Sequence, residues 1–243
     1  FVTSILNAEE DDIPLMGFPM SIAFGFLLFY LTMISGSMLL QSAVQEKRDR
    51  MSEVVLSSIG ADTLMTGKIV GHFVLGALQI IFWLAIGLPI AHFVMELPLG
   101  DFIVPQLLPQ LFLFTMLGYL FYAALFVGIG ATMEDIQSAS NSQGMVFMLP
   151  MLSFFVVGPI FDNPEGTIAK IATFFPVTSP TITILRIGAE AIETWEVVAA
   201  AAIMLVSTWL VIKAASRLFR AGMLMYGKNA TWQEMWKWLR HPS

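Results

Sequence analysis

Cysteine is absent from the 243 residues, and charged residues make up only 12% of them. Without cysteine the chain can form neither a disulfide framework nor a thiolate metal site, and its redox compartment cannot be inferred. Twelve basic residues against eighteen acidic ones give a net charge of −6. No basic stripe is present that could neutralise phosphates, so the composition does not indicate a nucleic-acid partner.

The sequence also lacks the common catalytic motifs. "TGK" at Thr66 to Lys68 has neither the glycine spacing nor the following Ser or Thr of a phosphate-binding loop. No zinc-binding HExxH helix or GxSxG elbow is present, and His72, His92 and His241 are scattered. We therefore predict no catalytic residue, no metal ligand and no cofactor in this chain; if energy is used, another subunit supplies it.

Long apolar runs dominate what is present. Hydrophobic residues make up 57% of the chain, phenylalanine occurs 20 times and the mean hydropathy is +0.77. Runs of about 20 apolar residues are long enough to cross a bilayer as helices. The fold class predicted is all-α, a polytopic membrane helical bundle formed by one permease domain over 1–243. Five spans are expected, at 17–44, 69–94, 102–131, 144–161 and 197–215. Pro150 and Pro159 predict a break or kink in the fourth.

The distribution of basic residues predicts the orientation. Four lie between the first and second spans, and six lie at or after the end of the fifth. By the positive-inside rule both regions are cytoplasmic, which puts 1–16 and the loop 162–196 outside. We therefore expect a multi-pass plasma-membrane protein with the N-terminus of this chain outside and its C-terminus in the cytoplasm. The tail 216–243, which carries Trp232 and Trp236, is expected to be cytoplasmic or to lie at the membrane interface.

Uncharged polar side chains occur within the predicted spans. They could line a transport path, although hydrogen bonding between packed helices is the alternative role. These residues are Ser35, Ser37, Gln41, Gln79, Thr115 and Tyr119.

The segment 45–62 concentrates charge between the first two spans. Met51, Val54 and Val55 recur at the spacing of one helix face, while Arg50 and Glu53 lie on the opposite face. The pattern predicts a short amphipathic helix at the cytoplasmic surface. Such a helix can lie in the interface as a connection between spans, or it can dock on a soluble partner.

The order of residues in this segment resembles a known family. "EKRDRMSEVVLSS" followed by "LMTGKIVG" is similar to the cytoplasmic signature of type-2 ATP-binding-cassette exporter permeases, in particular the sodium-efflux (NatB-like) branch. The segment 60–62 departs from the family pattern, which commonly has a proline in this turn. The resemblance implies that 45–62 is a coupling helix in contact with an ATPase. The contact residues it implies are Glu46, Lys47, Arg50, Glu53, Ser57, Ser58, Gly67 and Lys68.

A second motif, "FFPVTSPTITILRIG", resembles the outer re-entrant segment of the same permeases. The residues that carry the resemblance are Pro176, Thr178, Ser179, Pro180 and Arg186. Proline is favoured in the first turn of a helix, so Pro180 is expected to begin a short one.

The resemblance implies a membrane subunit that moves a substrate, sodium in this branch, out of the cell. It implies two partners, a separate ATP-binding cassette ATPase that carries ATP and Mg²⁺ and a second permease half, identical or different. It also implies that the first span and most of an outer domain precede Phe1. The alternatives are an exporter of drugs, peptides or lipids, and a scaffold or assembly factor that does not transport. An intramembrane hydrolase is disfavoured by the missing motifs.

Overall fold

The computed structural model describes residues 17–48, 61–94, 96, 103–133, 136–223 and 233–235. Within these ranges the regular structure is helical and contains no strand, which confirms the predicted all-α class. The elements, numbered in chain order, are α1 (Phe18–Arg48), α2 (Ala61–Pro89), a π-helical turn (Ile90–Val94), α3 (Leu108–Gly130), α4 (Ile136–Asp162), α5 (Thr167–Phe174), α6 (Ser179–Gly188) and α7 (Thr194–Met223).

Five of these helices are long and apolar enough to cross a membrane. They occur in the order of the five predicted spans: Phe18–Gln45, Thr66–Val94, Leu108–Gly130, Gln143–Asp162 and Thr194–Ala221. α4 continues through Pro150 and Pro159 as one helix, so of the predicted break or kink the break is not observed. Neighbouring helices and local adjustments can satisfy the backbone groups that a proline leaves free within a membrane.

α3 is the central helix of the bundle. In the most apolar stretch of 18 residues of α3, 72% of the residues are buried, whereas the corresponding share in α2 is 11%. α1, α7 and α6 all pack against α3, and Phe114, Phe121 and Phe126 are among its buried side chains.

Close helix contact needs small residues at the crossing points, since apolar burial does not drive association between helices in lipid. Gly130 supplies one such point near the end of α3. A Cβ atom added there would lie 2.6 Å from the Leu40 carbonyl oxygen of α1, so a larger residue would force these helices apart.

The bundle has two distinguishable ends. At the end where α1 begins, Gly17 approaches Leu107 and Gly188, and α5 and α6 are located here; we call it the hairpin end. At the opposite end Val44 of α1 and Ile69 of α2 join one buried apolar cluster with the last turn of α3. The charged segment 45–62 connects α1 to α2 at that opposite end.

Candidate functional site

α5, the turn 175–178 and α6 form a helical hairpin, which we call the re-entrant hairpin. α6 has ten residues, so it is about 15 Å long, or half of the roughly 30 Å of bilayer hydrocarbon. All its residues except Thr181 are buried, including the polar side chains of Ser179, Thr183 and Arg186. A helix this short and this buried cannot span the membrane and is enclosed by the spanning helices.

Packing contacts indicate how deep the hairpin reaches. Pro180 lies in the first turn of α6, as predicted, and packs on Gly118 of α3 and near Leu28 of α1. Gly118 and Leu28 each lie ten residues from the start of their helix, about 15 Å into the bundle. At its other end Gly188 packs against Ser21, in the first turn of α1. α6 therefore runs from near the middle of the bundle back to the hairpin end.

Gly118 is required for this contact. A Cβ atom added at Gly118 would lie 2.5 Å from Cβ of Pro180, closer than packed carbon atoms come. Glycine at this position lets the first turn of α6 lie directly on the backbone of α3.

Arg186 is the polar centre of the hairpin and is only 1% exposed. Its Nε donates to the carbonyl oxygen of Pro164 at 2.9 Å, and Nη1 donates to Oγ1 of Thr173 at 2.9 Å. Nη2 donates to the carbonyl oxygen of Ala191 and to Oε2 of Glu196, both at 2.8 Å. One guanidinium thereby connects the loop before α5, α5 itself, the turn after α6 and the first turn of α7.

Glu196 balances this buried cation and is 2% exposed. It lies in the first turn of α7, where the helix dipole favours a negative charge, and its Oε2 also accepts the backbone N–H of Glu193 at 3.2 Å. The chain reverses at Glu190, which adopts a left-handed φ of 52° before Ala191 presents its carbonyl to Arg186. A buried charge is tolerated when it is paired and hydrogen-bonded, and both conditions hold here.

Side-chain hydrogen bonds fix the turn 175–178 at the deep end of the hairpin. The Thr178 hydroxyl donates to the carbonyl of Ala172 at 2.7 Å and also contacts that of Phe175 at 3.3 Å. The Tyr122 hydroxyl of α3 donates to the carbonyl of Val177. Irregular backbone within the membrane must be satisfied by protein, and these bonds do so.

The predicted residues of the re-entrant motif are thus brought together. Pro176 is half-buried in the turn, whereas Ser179 and Pro180 are buried at the start of α6 and Arg186 near its end. Glu196 and Thr173, which complete the site, were not singled out in the sequence. The sequence signal that pointed to such partners was Arg186, because an arginine within the mostly apolar run "TITILRIG" needs hydrogen-bond acceptors when it is buried.

Four of the eight predicted coupling residues are described by the structure, and they belong to helix turns at the opposite end of the bundle. Glu46 and Lys47 belong to the last turn of α1, which continues to Arg48. Gly67 and Lys68 belong to the first turns of α2, Gly67 exposed and Lys68 half-buried. Arg50, Glu53, Ser57 and Ser58 lie outside the described residues. On either side of them in the chain, Val44 of α1 and Ile69 of α2 belong to the same buried apolar cluster.

A second polar contact occurs between α1, α2 and α3. Ser35 Oγ lies 3.4 Å from Oε1 of Gln79, and the Tyr119 hydroxyl donates to the backbone carbonyl of His72 at 3.1 Å. Helix packing is therefore the role that the structure shows for Ser35, Gln79 and Tyr119. Within the part of the chain that is described, no three His, Cys, Asp or Glu side chains are grouped as a metal site would require.

Comparison with known proteins gives a family match and two uncharacterised relatives. The model of a family described as "ABC-2 family transporter protein" matches residues 12–217. "Uncharacterized protein MJ1024" of Methanocaldococcus jannaschii is 30% identical over 213 residues, which cover 86% of this chain and 51% of that protein. "Uncharacterized protein YhaP" of Bacillus subtilis is 22% identical over 228 residues, 88% of this chain and 54% of that protein. This chain thus spans about half the length of these relatives. No solved structure matches it.

Proposed function

Because the chain belongs to the ABC-2 transporter family and forms a multi-pass membrane bundle, we propose that it is the permease subunit of an ATP-driven exporter. Its partners in this proposal are a separate ATP-binding cassette ATPase and a second permease half. The observation that carries the proposal is the family match over 206 residues, 12–217, together with five membrane-spanning helices, four of which pack against the re-entrant hairpin.

In this proposal the charged segment 45–62 is the ATPase contact and faces the cytoplasm, whereas the hairpin end faces outwards. Both chain segments that flank the contact enter the apolar cluster at the end of α3. Movement of the ATPase would therefore be transmitted first to α1 and α2. α2 is the better candidate for displacement, since few of its residues are buried.

The re-entrant hairpin would be the outer barrier of the transport path. It occupies the outward half of the bundle to about mid-membrane, and the Arg186–Glu196 pair holds it to α7. Alternating access needs one part of such a protein to move against a part that stays fixed. The hairpin with α3 would be the fixed part.

Sodium is the substrate that the NatB-like resemblance suggests. The experiment must also measure transport of the alternative substrates, which are drugs, peptides and lipids. Within the described parts of the spanning helices the buried carboxylate is that of Glu196, which is paired with Arg186. The chain therefore presents no unpaired buried carboxylate there for a cation relay, and the sodium proposal rests on the resemblance.

The function is tested with the full-length protein and its ATPase, co-purified and reconstituted in vesicles. Wild type should show ATP-dependent transport, measured as ²²Na⁺ flux and, in parallel, as transport of lipid and drug probes. Glu53→Arg should abolish coupling while leaving membrane insertion intact, because reversing a charge at an interface places like charges together. Lys170→Glu, a charge reversal on the exposed side of α5, is the matched control and should transport normally.

Two results would contradict the proposal. Normal transport by Glu53→Arg would show that the segment 45–62 is not the coupling element. A complex that binds the ATPase but moves none of the probes under ATP turnover would favour the scaffold alternative.

A further inference from the structure

A deep groove opens between α1 and α2 at the hairpin end. It encloses about 580 Å³ and is lined by Ala23, Phe24 and Leu27 of α1 and by Trp83 and Gly87 of α2. For comparison, an engineered apolar cavity of about 150 Å³ is enough to bind benzene. The groove is therefore a recess of molecular size.

The lining of the groove excludes water as its stable occupant. Its walls are aliphatic and aromatic carbon, apart from the indole nitrogen of Trp83. A water molecule needs two to four polar partners to remain in a cavity, and this lining does not supply them. An empty recess is also unfavourable, because the lining atoms then lose their dispersion contacts.

Position and length indicate what fills the groove. Its lining runs from Pro19 to Leu27 along α1, and from Trp83 on α2 to Ala91 in the π-helical turn, a length of about 12 Å on each side. One leaflet of hydrocarbon is about 15 Å deep, half of the bilayer core. The groove therefore follows a single leaflet from its surface towards the midplane, and an edge-to-face contact between Tyr30 and Trp83, 5.6 Å between ring centroids, lies near its deep end.

The groove is continuous with the membrane-facing side of α2. Phe82 and Ile86, beside the groove residues, are 56% and 39% exposed, and Leu88, which lines the groove, is 39% exposed. Near the groove's other end Pro89 lacks the N–H that would bond the Ala85 carbonyl, and the helix continues as the π-helical turn. A hydrocarbon chain can thus enter sideways from the bilayer without crossing a polar barrier.

We propose that this groove is a binding site for one acyl chain of a bilayer phospholipid in the leaflet at the hairpin end. The site is independent of the transport proposal, because it depends only on the groove and on its position in the membrane. It differs from general lipid contact in that the chain is enclosed by α1 and α2 and exchanges more slowly than lipid on the exposed side of α2.

The test uses the full chain in detergent micelles, to which a phospholipid that carries a diazirine partway along one acyl chain is added in increasing amounts. After irradiation, peptides that carry lipid are mapped by mass spectrometry. We expect labelling of the groove peptides, around 19–27 and 83–91, to saturate as the mole fraction of probe rises. Labelling of the exposed α2 surface around Val70, Val74 and Leu78 should rise in proportion to it.

Substitutions that fill the groove give the second readout. Ala23→Phe with Gly87→Leu should lower groove labelling about tenfold, the factor that 1.4 kcal/mol of binding free energy represents. Gly71→Leu is the matched control, because Gly71 is also on α2 with nothing within 4 Å of an added Cβ, but it does not line the groove. It should leave groove labelling unchanged.

The proposal is overturned if wild-type groove peptides remain unlabelled, which would mean that protein covers the groove. It is also overturned if their labelling rises without saturation, as general lipid contact would. The saturation measurement needs no substitution, so it decides the question even if the filled variant does not fold.

Discussion

α6 and α2 are held in the bundle by different means. α6 is ten residues long, almost completely buried and attached through Arg186 to four other parts of the chain. α2 is a full span, yet only 11% of its most apolar stretch is buried, and its polar contacts with α1 and α3 include those of Gln79 and the His72 carbonyl. Regions with few buried contacts open at lower free energy than those with many. The comparison indicates a fixed hairpin and a displaceable α2.

The largest effect is expected at the buried ion pair. Arg186→Met leaves the Glu196 carboxylate buried without its cation, which costs about 3–5 kcal/mol. We predict that much less of the variant than of the wild type still elutes as folded protein in size-exclusion chromatography after heating. Adding Glu196→Gln should recover part of the loss, since the second change removes the unpaired charge.

Lys170→Met is the control for this prediction, because Lys170 is an exposed cation on α5. It should leave the heating profile near that of wild type. A loss as large as that of Arg186→Met, or no loss in either variant, would mean that the ion pair does not hold the hairpin.

A smaller effect is expected where the hairpin rests on α3. Gly118→Ala forces Pro180 and α3 apart, and overpacking of this kind costs about 1–3 kcal/mol. Gly71→Ala on α2, where nothing lies within 4 Å, should be neutral or stabilise by up to about 1 kcal/mol through helix propensity. Equal heating profiles for the two alanine variants would contradict the close packing of α6 on α3.

The smallest effect on stability is expected at α2. Removing the Ser35–Gln79 contact with Ser35→Ala should cost about 0.6 kcal/mol, the average measured for hydrogen bonds between membrane helices. Hydrogen exchange of α2 should nevertheless become faster, while that of α3 stays the same. Ser37→Ala is the control, since the Ser37 hydroxyl bonds to the Ile34 carbonyl within its own helix. Slow exchange throughout α2 in the wild type would contradict its weak attachment.

Much of the fold could be predicted because its signals are local. Apolar runs of spanning length predict the five helices, and Pro180 predicts the start of α6 through its fixed φ and missing N–H. The pairing of Arg186 with Glu196 could not be predicted, because it depends on how α6 and α7 meet. The depth of the hairpin could not be predicted either, because it depends on Gly118. That residue is one of eighteen glycines and belongs to no recognisable motif.

The unequal attachment of α2 and the hairpin can be measured directly, because the chain has no native cysteine and accepts spin labels at chosen sites. Leu113 of α3 serves as a common reference, paired with Leu78 of α2 or with Ile171 of α5; all three are exposed. Electron–electron distances would be compared between nucleotide-free and ATP-bound states of the full-length protein with its ATPase.

We expect the Leu78–Leu113 distance distribution to shift on ATP binding, while the Ile171–Leu113 distribution stays unchanged. A shift of the hairpin pair as large as that of the α2 pair, or no shift in the α2 pair, would contradict this expectation.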